Sequence, residues 1–257
     1  MLGALLQGLL CFLPYRNIAL IAPVVMVLGF QVARTLLMSF GITENIYMDG
    51  VINGRTVPVF PSKEGAQDKP AAAGVCAIML AVRSNDPLGI FELSGGFNGV
   101  SDRFTEMSKQ LDANATTYGY LGQSSWLSAA DRGVSSEFMS ILYFESAEKL
   151  HEYAHGPMHT EAMVWWQKLL TKHSKISIMH EVFSAPAHAW EGVYINYHPT
   201  GLGAASKEVE LEKGGKVWMN PLVQGRGQLN YSRGRMGLAL KDNEWNAFEE
   251  TLGPEEK

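Results

Sequence analysis

The chain has 257 residues, 46% of them apolar, and a net charge of −5 at pH 7. That length admits one large domain or two small ones, and the acidic balance, with no nucleic-acid motif, excludes a basic surface for DNA or RNA. Cys11 and Cys76 fall in separate environments, so the fold must stand on its core and not on disulfides.

Residues 1–40 read as a membrane anchor of one or two helices. Residues 1–14 carry no charge, and after Tyr15, Arg16 and Asn17 a second apolar run covers 18–40. A helix over that run is roughly 35 Å long, enough for a hydrocarbon core of about 30 Å. Gln31 and Arg34 fall near its end, where an arginine snorkels outward, and Pro23 is tolerated in a membrane helix. A cleaved signal peptide and a buried soluble helix are the alternatives. The late first basic residue and the missing A-x-A-like site speak against the signal peptide. Whether 1–14 also crosses, as a hairpin around Arg16, stays open, as does the orientation. The expected location is a membrane, with the endoplasmic reticulum preferred and the soluble part facing the cytoplasm.

Residues 41–74 read as a linker, with Asp49-Gly50, Asn53-Gly54 and a Pro/Ala/Gly tail, although Val57, Pro58, Val59 and Phe60 could form one extra strand. Next comes a domain over 75–199. Residues 75–82 predict a buried strand and 101–111 a helix whose Val100, Phe104, Met107 and Leu111 face a sheet. Residues 118–127 predict a strand with Tyr118, Tyr120 and Trp126 at alternating positions. Another strand covers 138–144, preceded by the turn signal Asp131-Arg132-Gly133. Ser146 caps a helix with Glu148 in its first turn; that helix pauses at Gly156-Pro157 and resumes to about Lys172. In 175–183, Ile176, Ile178, His180 and Val182 share one face, with Ser177, Met179, Glu181 and Phe183 on the other. A last strand covers 190–197, and 200–257 reads as an irregular extension.

That order is βαββαβ plus one strand, an α+β, ferredoxin-like arrangement. Its helices cover one sheet face, and an uncovered apolar face would aggregate, so a homodimer is expected.

All seven histidines lie between 151 and 198. His151, His155 and His159 are four apart, a spacing that can share a metal, but Gly156-Pro157 interrupts the ladder and no H-E-x-x-H accompanies it. No metal site is expected. His180 is expected to be buried or to line an apolar pocket, as a base, a haem ligand or a satisfied core residue. Trp165, Trp166, Trp190, Tyr194 and Tyr197 line a ligand cavity or form ordinary core.

Four segments carry a resemblance: 143–154 (YFESAEKLHEYA) with His159 and Trp165-Trp166; 178–183 (IMHEVF); 190–196 (WEGVYIN); and 199–203 (PTGLG). Over roughly 75–205 the chain resembles the DUF4188 family, relatives of the antibiotic-biosynthesis monooxygenases. The resemblance implies a dimeric α/β barrel and oxygen insertion or oxidative cleavage on an electron-rich, hydrophobic metabolite of polyketide or terpenoid type. It carries over onto Tyr153, His159, Trp166, His180, Glu181, Glu191, Tyr194 and Asn196. On that basis His180 is the expected base, with Tyr194 and Asn196 as donors to the oxyanion formed; Tyr153, His159, Trp166, Glu181 and Glu191 are expected to contact substrate. Molecular oxygen is the co-substrate and no cofactor is assured; no G-x-G-x-x-G marks a flavin or nicotinamide domain. The alternatives are a haem protein with His180 or His159 as axial ligand, and a non-catalytic carrier of a hydrophobic metabolite at the membrane.

Overall fold

A computed structural model describes residues 2–12, 14–62, 64–88, 91, 95–128, 137–211 and 214–239. The turn signal at 131–133 and the last part of the extension, 240–257, lie outside them. The chain divides into two compact units, Met1–Gly50 and Val51–Lys257.

The first unit carries helices α1 (Leu2–Leu10) and α2 (Arg16–Ser39). Within α2, Asn17–Ser39 has a mean hydropathy of 1.9 and none of it is buried inside the protein. Val25, Leu28 and Phe30 are all exposed, so the helix is apolar without a protein surface to pack on. It is long enough to cross a membrane. The nine residues of α1 reach only roughly 14 Å, less than half a hydrocarbon core.

The second unit runs β1 (Ile52–Pro58), β2 (Val75–Ser84), α3 (Gly96–Ala113), α4 (Ala115–Tyr118), β3 (Tyr120–Leu127), β4 (Glu137–Phe144), α5 (Ala147–Ala154) and α6 (Pro157–Lys172). It continues with β5 (Ile176–Ala185), β6 (Tyr194–Tyr197), β7 (Lys207–Glu210), β8 (Lys216–Met219), β9 (Leu222–Gln224) and α7 (Ser232–Arg235). Strands β2 to β5 form one antiparallel sheet in the order β3-β4-β2-β5. Each helical crossover skips over one strand, so the sheet has the doubled split-βαβ topology of a ferredoxin-like α+β fold. The sheet is open within the chain, with β3 and β5 at its edges, and forms no closed barrel.

The register assigns the faces. Cys76, Ile78 and Leu80 of β2 lie opposite Phe144, Leu142 and Ser140 of β4, and opposite Ser184, Val182 and His180 of β5. This is the helix side, because Cys76, Leu142 and Phe144 share one core with Leu111, Ala115, Leu150 and Tyr153. Val100 and Leu111 of α3 are buried there, Met107 packs against it, and Phe104 meets Phe138 edge-on at 5.9 Å. Tyr118 is the last residue of the short helix α4, which Gly119 caps, instead of opening a strand. A bulge between Tyr120 and Gly122, with Gly122 at φ 136°, shifts the register. Tyr120 consequently enters the helix-side core while Trp126 falls on the other face, opposite Met139.

The other face is covered at one end only. A three-stranded sheet in the order β6-β1-β9 supplies the cover, through a cluster in which Trp190 and Ala205 pack on Val75 and Leu121. The indole of Trp190 donates to the Ala73 carbonyl (2.8 Å) and meets Phe60 edge-on at 5.9 Å. Residues 41–74, read as a linker, thus provide the central strand of this second sheet. Residues 200–257, read as irregular, provide β9 and the β7–β8 pair. Of the strand expected over 190–197 only β6 forms, and it joins β1, not the larger sheet.

Candidate functional site

Ser146 accepts a hydrogen bond from the Lys149 amide (3.3 Å) and so fixes where α5 begins. Gly156 and Pro157 then end α5 and restart the chain as α6, with proline in the first helical turn, where its missing N–H costs nothing. This break sets the last turn of α5 beside the first turn of α6. The rings of Tyr153 and His159 meet there, 5.8 Å between centroids and 66° between planes. Beneath them Tyr153 packs on Tyr118 (5.3 Å) and Phe144 (6.4 Å).

His159 is half-buried. Burial holds its imidazole below the ordinary value of 6.5, and the charges of His180 and His155 add to the depression. The backbone of Ala154 acts against it. A neutral imidazole is equipped to take a proton.

Across from His159 stands His180, on the helix side of β5 opposite Leu80. It was expected to be buried or to line an apolar pocket; it is exposed, and its neighbours Ile178 (44%) and Val182 (42%) are exposed with it. The cause is topological. β5 is an edge strand, and the helix layer does not reach over it. What results is an open apolar ledge with an imidazole at its centre.

Two polar groups in this region have no partner among the described residues. The Tyr153 hydroxyl and the Arg103 Nε are both buried and make no hydrogen bond. Burial first, and then the neighbouring Tyr118, push the Tyr153 phenol up to about 12 against the opposing pull of the Arg103 charge. The two amino groups of Arg103 hold Glu106 (2.9 Å) and Glu161 (3.0 Å), which aims the fork and leaves its Nε edge unused. Buried donors left unpaired cost about 1–3 kcal/mol each. Donors of this kind are the groups that hold an oxygen atom carrying negative charge. Arg103 was missed from sequence because it reads as one more polar residue on the outer face of α3.

The remaining expected residues lie elsewhere. Trp166 is half-buried on α6. Glu181 is exposed on the opposite sheet face from His180, across from Met79. Tyr194 accepts from the Gly203 amide (2.9 Å) and its charge reaches Tyr143, which also sits on that opposite face. Asn196 adopts φ 49°, a conformation asparagine tolerates, and accepts from the Gly54 amide (2.8 Å). Glu191 pairs with Arg235 (2.6 Å) and accepts from Ser232 (2.8 Å). The structure therefore unites Tyr153, His159 and His180 and separates them from Tyr194, Asn196, Glu181 and Glu191. Tyr194 and Asn196 lie on β6 of the second sheet, and each accepts a hydrogen bond from a backbone amide, Gly203 and Gly54. His155 is exposed and bonds to the His151 carbonyl (2.8 Å) through Nδ1. No group of three His, Cys, Asp or Glu placed to hold a metal occurs among the described residues.

Residues 75–202 match the family model described as monooxygenase af470-like. Monooxygenase af470 of Aspergillus fumigatus is 31% identical over 225 residues, which is 86% of this chain and 79% of that protein. Among solved structures, an aldoxime dehydratase in complex with butyraldoxime is 17% identical with a TM-score of 0.41, matching 58% of this chain. The chain spans only 39% of that enzyme's length. SnoaB, a cofactor-independent oxygenase from Streptomyces nogalater, is 7% identical with a TM-score of 0.27, over 42% of this chain and 90% of that one. At these TM-scores neither likeness decides a point of chemistry.

Proposed function

Because the chain belongs to the monooxygenase af470-like family, we propose that it is a membrane-associated monooxygenase that oxidises a hydrophobic metabolite with molecular oxygen. The observation that carries this is the grouping of a neutral imidazole, His159, with two buried unpaired donors, the Tyr153 hydroxyl and Arg103 Nε. A base beside oxyanion donors is what proton abstraction next to a carbonyl or phenol requires.

His159 takes a proton from an activated CH2 group of the substrate, and Tyr153 and Arg103 hold the oxygen onto which the charge spreads. The carbanion passes its electrons to O2, the hydroperoxide so formed loses water, and a carbonyl remains. The sum is CH2 + O2 → C=O + H2O. The substrate supplies all four electrons that O2 takes up, so the balance calls for no external reductant. His180 acts on His159 through its charge, and the ledge of Ile178 and Val182 offers apolar surface to the substrate body. Within one chain these residues do not fit a haem. The His159 ring is packed against Tyr153, and His180 stands exposed on an edge strand.

Two further elements belong to the proposal. The uncovered sheet face presents Trp126, Met179 and Phe183, each more than 40% exposed. A second copy seated there would bury them and close the paired sheets into a barrel. The apolar run Asn17–Ser39 would anchor the enzyme in a membrane, where a lipophilic substrate concentrates.

The test is a comparison of metabolite extracts from host cells carrying the intact chain or His159→Gln. Accumulation of a hydrophobic precursor in the variant is expected. Identical extracts, with the variant folded and present, would remove His159 from the chemistry and favour a carrier.

A further inference from the structure

The helix α6 is apolar on more than the side it buries. Glu161 and Trp165 turn toward α3, where Glu161 holds Arg103 (3.0 Å) and Trp165 lies against Gly99. His159, Met163, Trp166 and Leu170 recur at i, i+4, i+7 and i+11 on another side, the one on which His180 stands across from His159. Of the whole helix only Ala162 is buried, and Met163 and Leu170 are exposed. Ile178 and Val182, on the helix side of the edge strand β5, are exposed as well. The two stripes line an open apolar groove that holds both imidazoles, and apolar surface of this kind calls for a cover.

The chain itself brings a segment to this groove. His188, three residues beyond the end of β5 at Ala185, donates from Nδ1 to the Met236 carbonyl (2.7 Å), and Arg233 donates to the Ala239 carbonyl (2.9 Å). The chain therefore leaves the described residues near the C-terminal end of β5, and it continues over 240–257 as LKDNEWNAFEETLGPEEK. Six residues separate Ala239 from Trp245, and six separate His188 from Val182. Six residues of extended chain reach up to about 20 Å, so Trp245 can arrive at the groove. Trp245, Phe248 and Leu252 fall at i, i+3 and i+7, the spacing of the anchors that an amphipathic helix lays in an apolar groove. Glu244, Asn246, Glu249 and Glu250 fall between them and leave the remaining sides polar. As a helix the three anchors span about 10 Å, against about 13 Å of strand from Ile178 to Val182.

We propose that residues 244–252 dock in this groove as an amphipathic helix, with Trp245, Phe248 and Leu252 set between the α6 stripe and Ile178 and Val182, so that the chain supplies its own lid over His159 and His180. The docking stands apart from the chemistry; that the lid encloses the reacting groups rests on His159 being the base. A closed lid keeps bulk water from the site, and it lifts to admit substrate.

The test uses the full chain in phosphatidylcholine nanodiscs with Cys11→Ser, which leaves the buried Cys76 as the native cysteine. A nitroxide is placed on Ile178→Cys. Its collisions with a water-soluble nickel chelate should be rare, and should rise several-fold when Trp245→Asp and Phe248→Asp are added, while the circular dichroism spectrum stays that of the parent. A second measurement avoids the label: Val182→Cys with Phe248→Cys should form a disulfide within one chain under mild oxidation, whereas Ile195→Cys with Phe248→Cys, on the second sheet, should not. Frequent nickel collisions in the parent would show an open groove. Rare nickel collisions that Trp245→Asp and Phe248→Asp leave unchanged, with frequent collisions with oxygen, would show that the bilayer is the cover. A disulfide that joins two chains would show that a second copy provides it. Each of these three results overturns the proposal. None of the readouts involves turnover, so the lid and the His159 chemistry can fail separately.

Discussion

Tyr153 and His159 stand ring against ring at 5.8 Å across the break between two helices, and the break itself is the work of Gly156-Pro157. Without it, α5 and α6 would run on as one helix, and residues six apart would point to different sides. The pair joins a buried phenol to a neutral imidazole.

The pH dependence of activity follows from His159. Its neutral form is the active one, and burial holds its pKa below 6.5, so kcat/KM should reach half its plateau at a pH below 6.5. His180→Gln removes a like charge from its surroundings. His159 then becomes easier to protonate, and the half-maximal pH should move up toward 6.5. His159→Gln should lower kcat by about 100- to 10,000-fold. A pH–rate profile of the three proteins checks all three expectations.

Tyr153→Phe separates catalysis from stability. The hydroxyl is buried without a partner, so deleting it removes an uncompensated polar group and the thermal midpoint should hold or rise. Turnover should fall by about 100- to 1,000-fold if the hydroxyl supports the oxyanion. Circular dichroism melting alongside steady-state rates measures both.

Trp190 packs on Val75 and Leu121 of the larger sheet, with its indole bonded to Ala73 and edge-on to Phe60, and it is 9% exposed. Trp190→Ala should cost about 3–5 kcal/mol, read as a fall in the denaturant midpoint. Trp190→Phe keeps the ring but strands the Ala73 carbonyl, and about 1–3 kcal/mol is expected.

The apolar run Asn17–Ser39 should keep the chain in the membrane pellet after alkaline carbonate washing. Release into the supernatant, or a mature protein starting beyond residue 39, would show a processed leader.

Much of the larger sheet was legible in the sequence because its signals are local. Alternation in 175–183 gave both faces of β5, Ser146 gave the start of α5, and Gly156-Pro157 gave its end. The second sheet was not legible. β1 pairs with strands whose partner residues, such as Thr56 with Tyr194 and Gln224, are far along the chain, and β7, β8 and β9 are four residues or fewer. No periodicity accumulates over so short a span. The family resemblance named Tyr153, His159 and His180, which the fold unites. It also named Tyr194 and Asn196, whose hydrogen bonds to backbone explain those residues without substrate. Of the two places expected for His180, burial in the core does not hold, because periodicity reports which face a residue occupies and not whether its strand lies at an edge.

The most direct test of the account is growth of host cells under 18O2, with metabolites compared between the parent and His159→Gln. The account predicts a hydrophobic product carrying one 18O atom in parent cells, with its unlabelled precursor, two hydrogens richer, accumulating in the variant. A product that draws its new oxygen from water, or one made equally by both strains with His159→Gln folded and present, would contradict it.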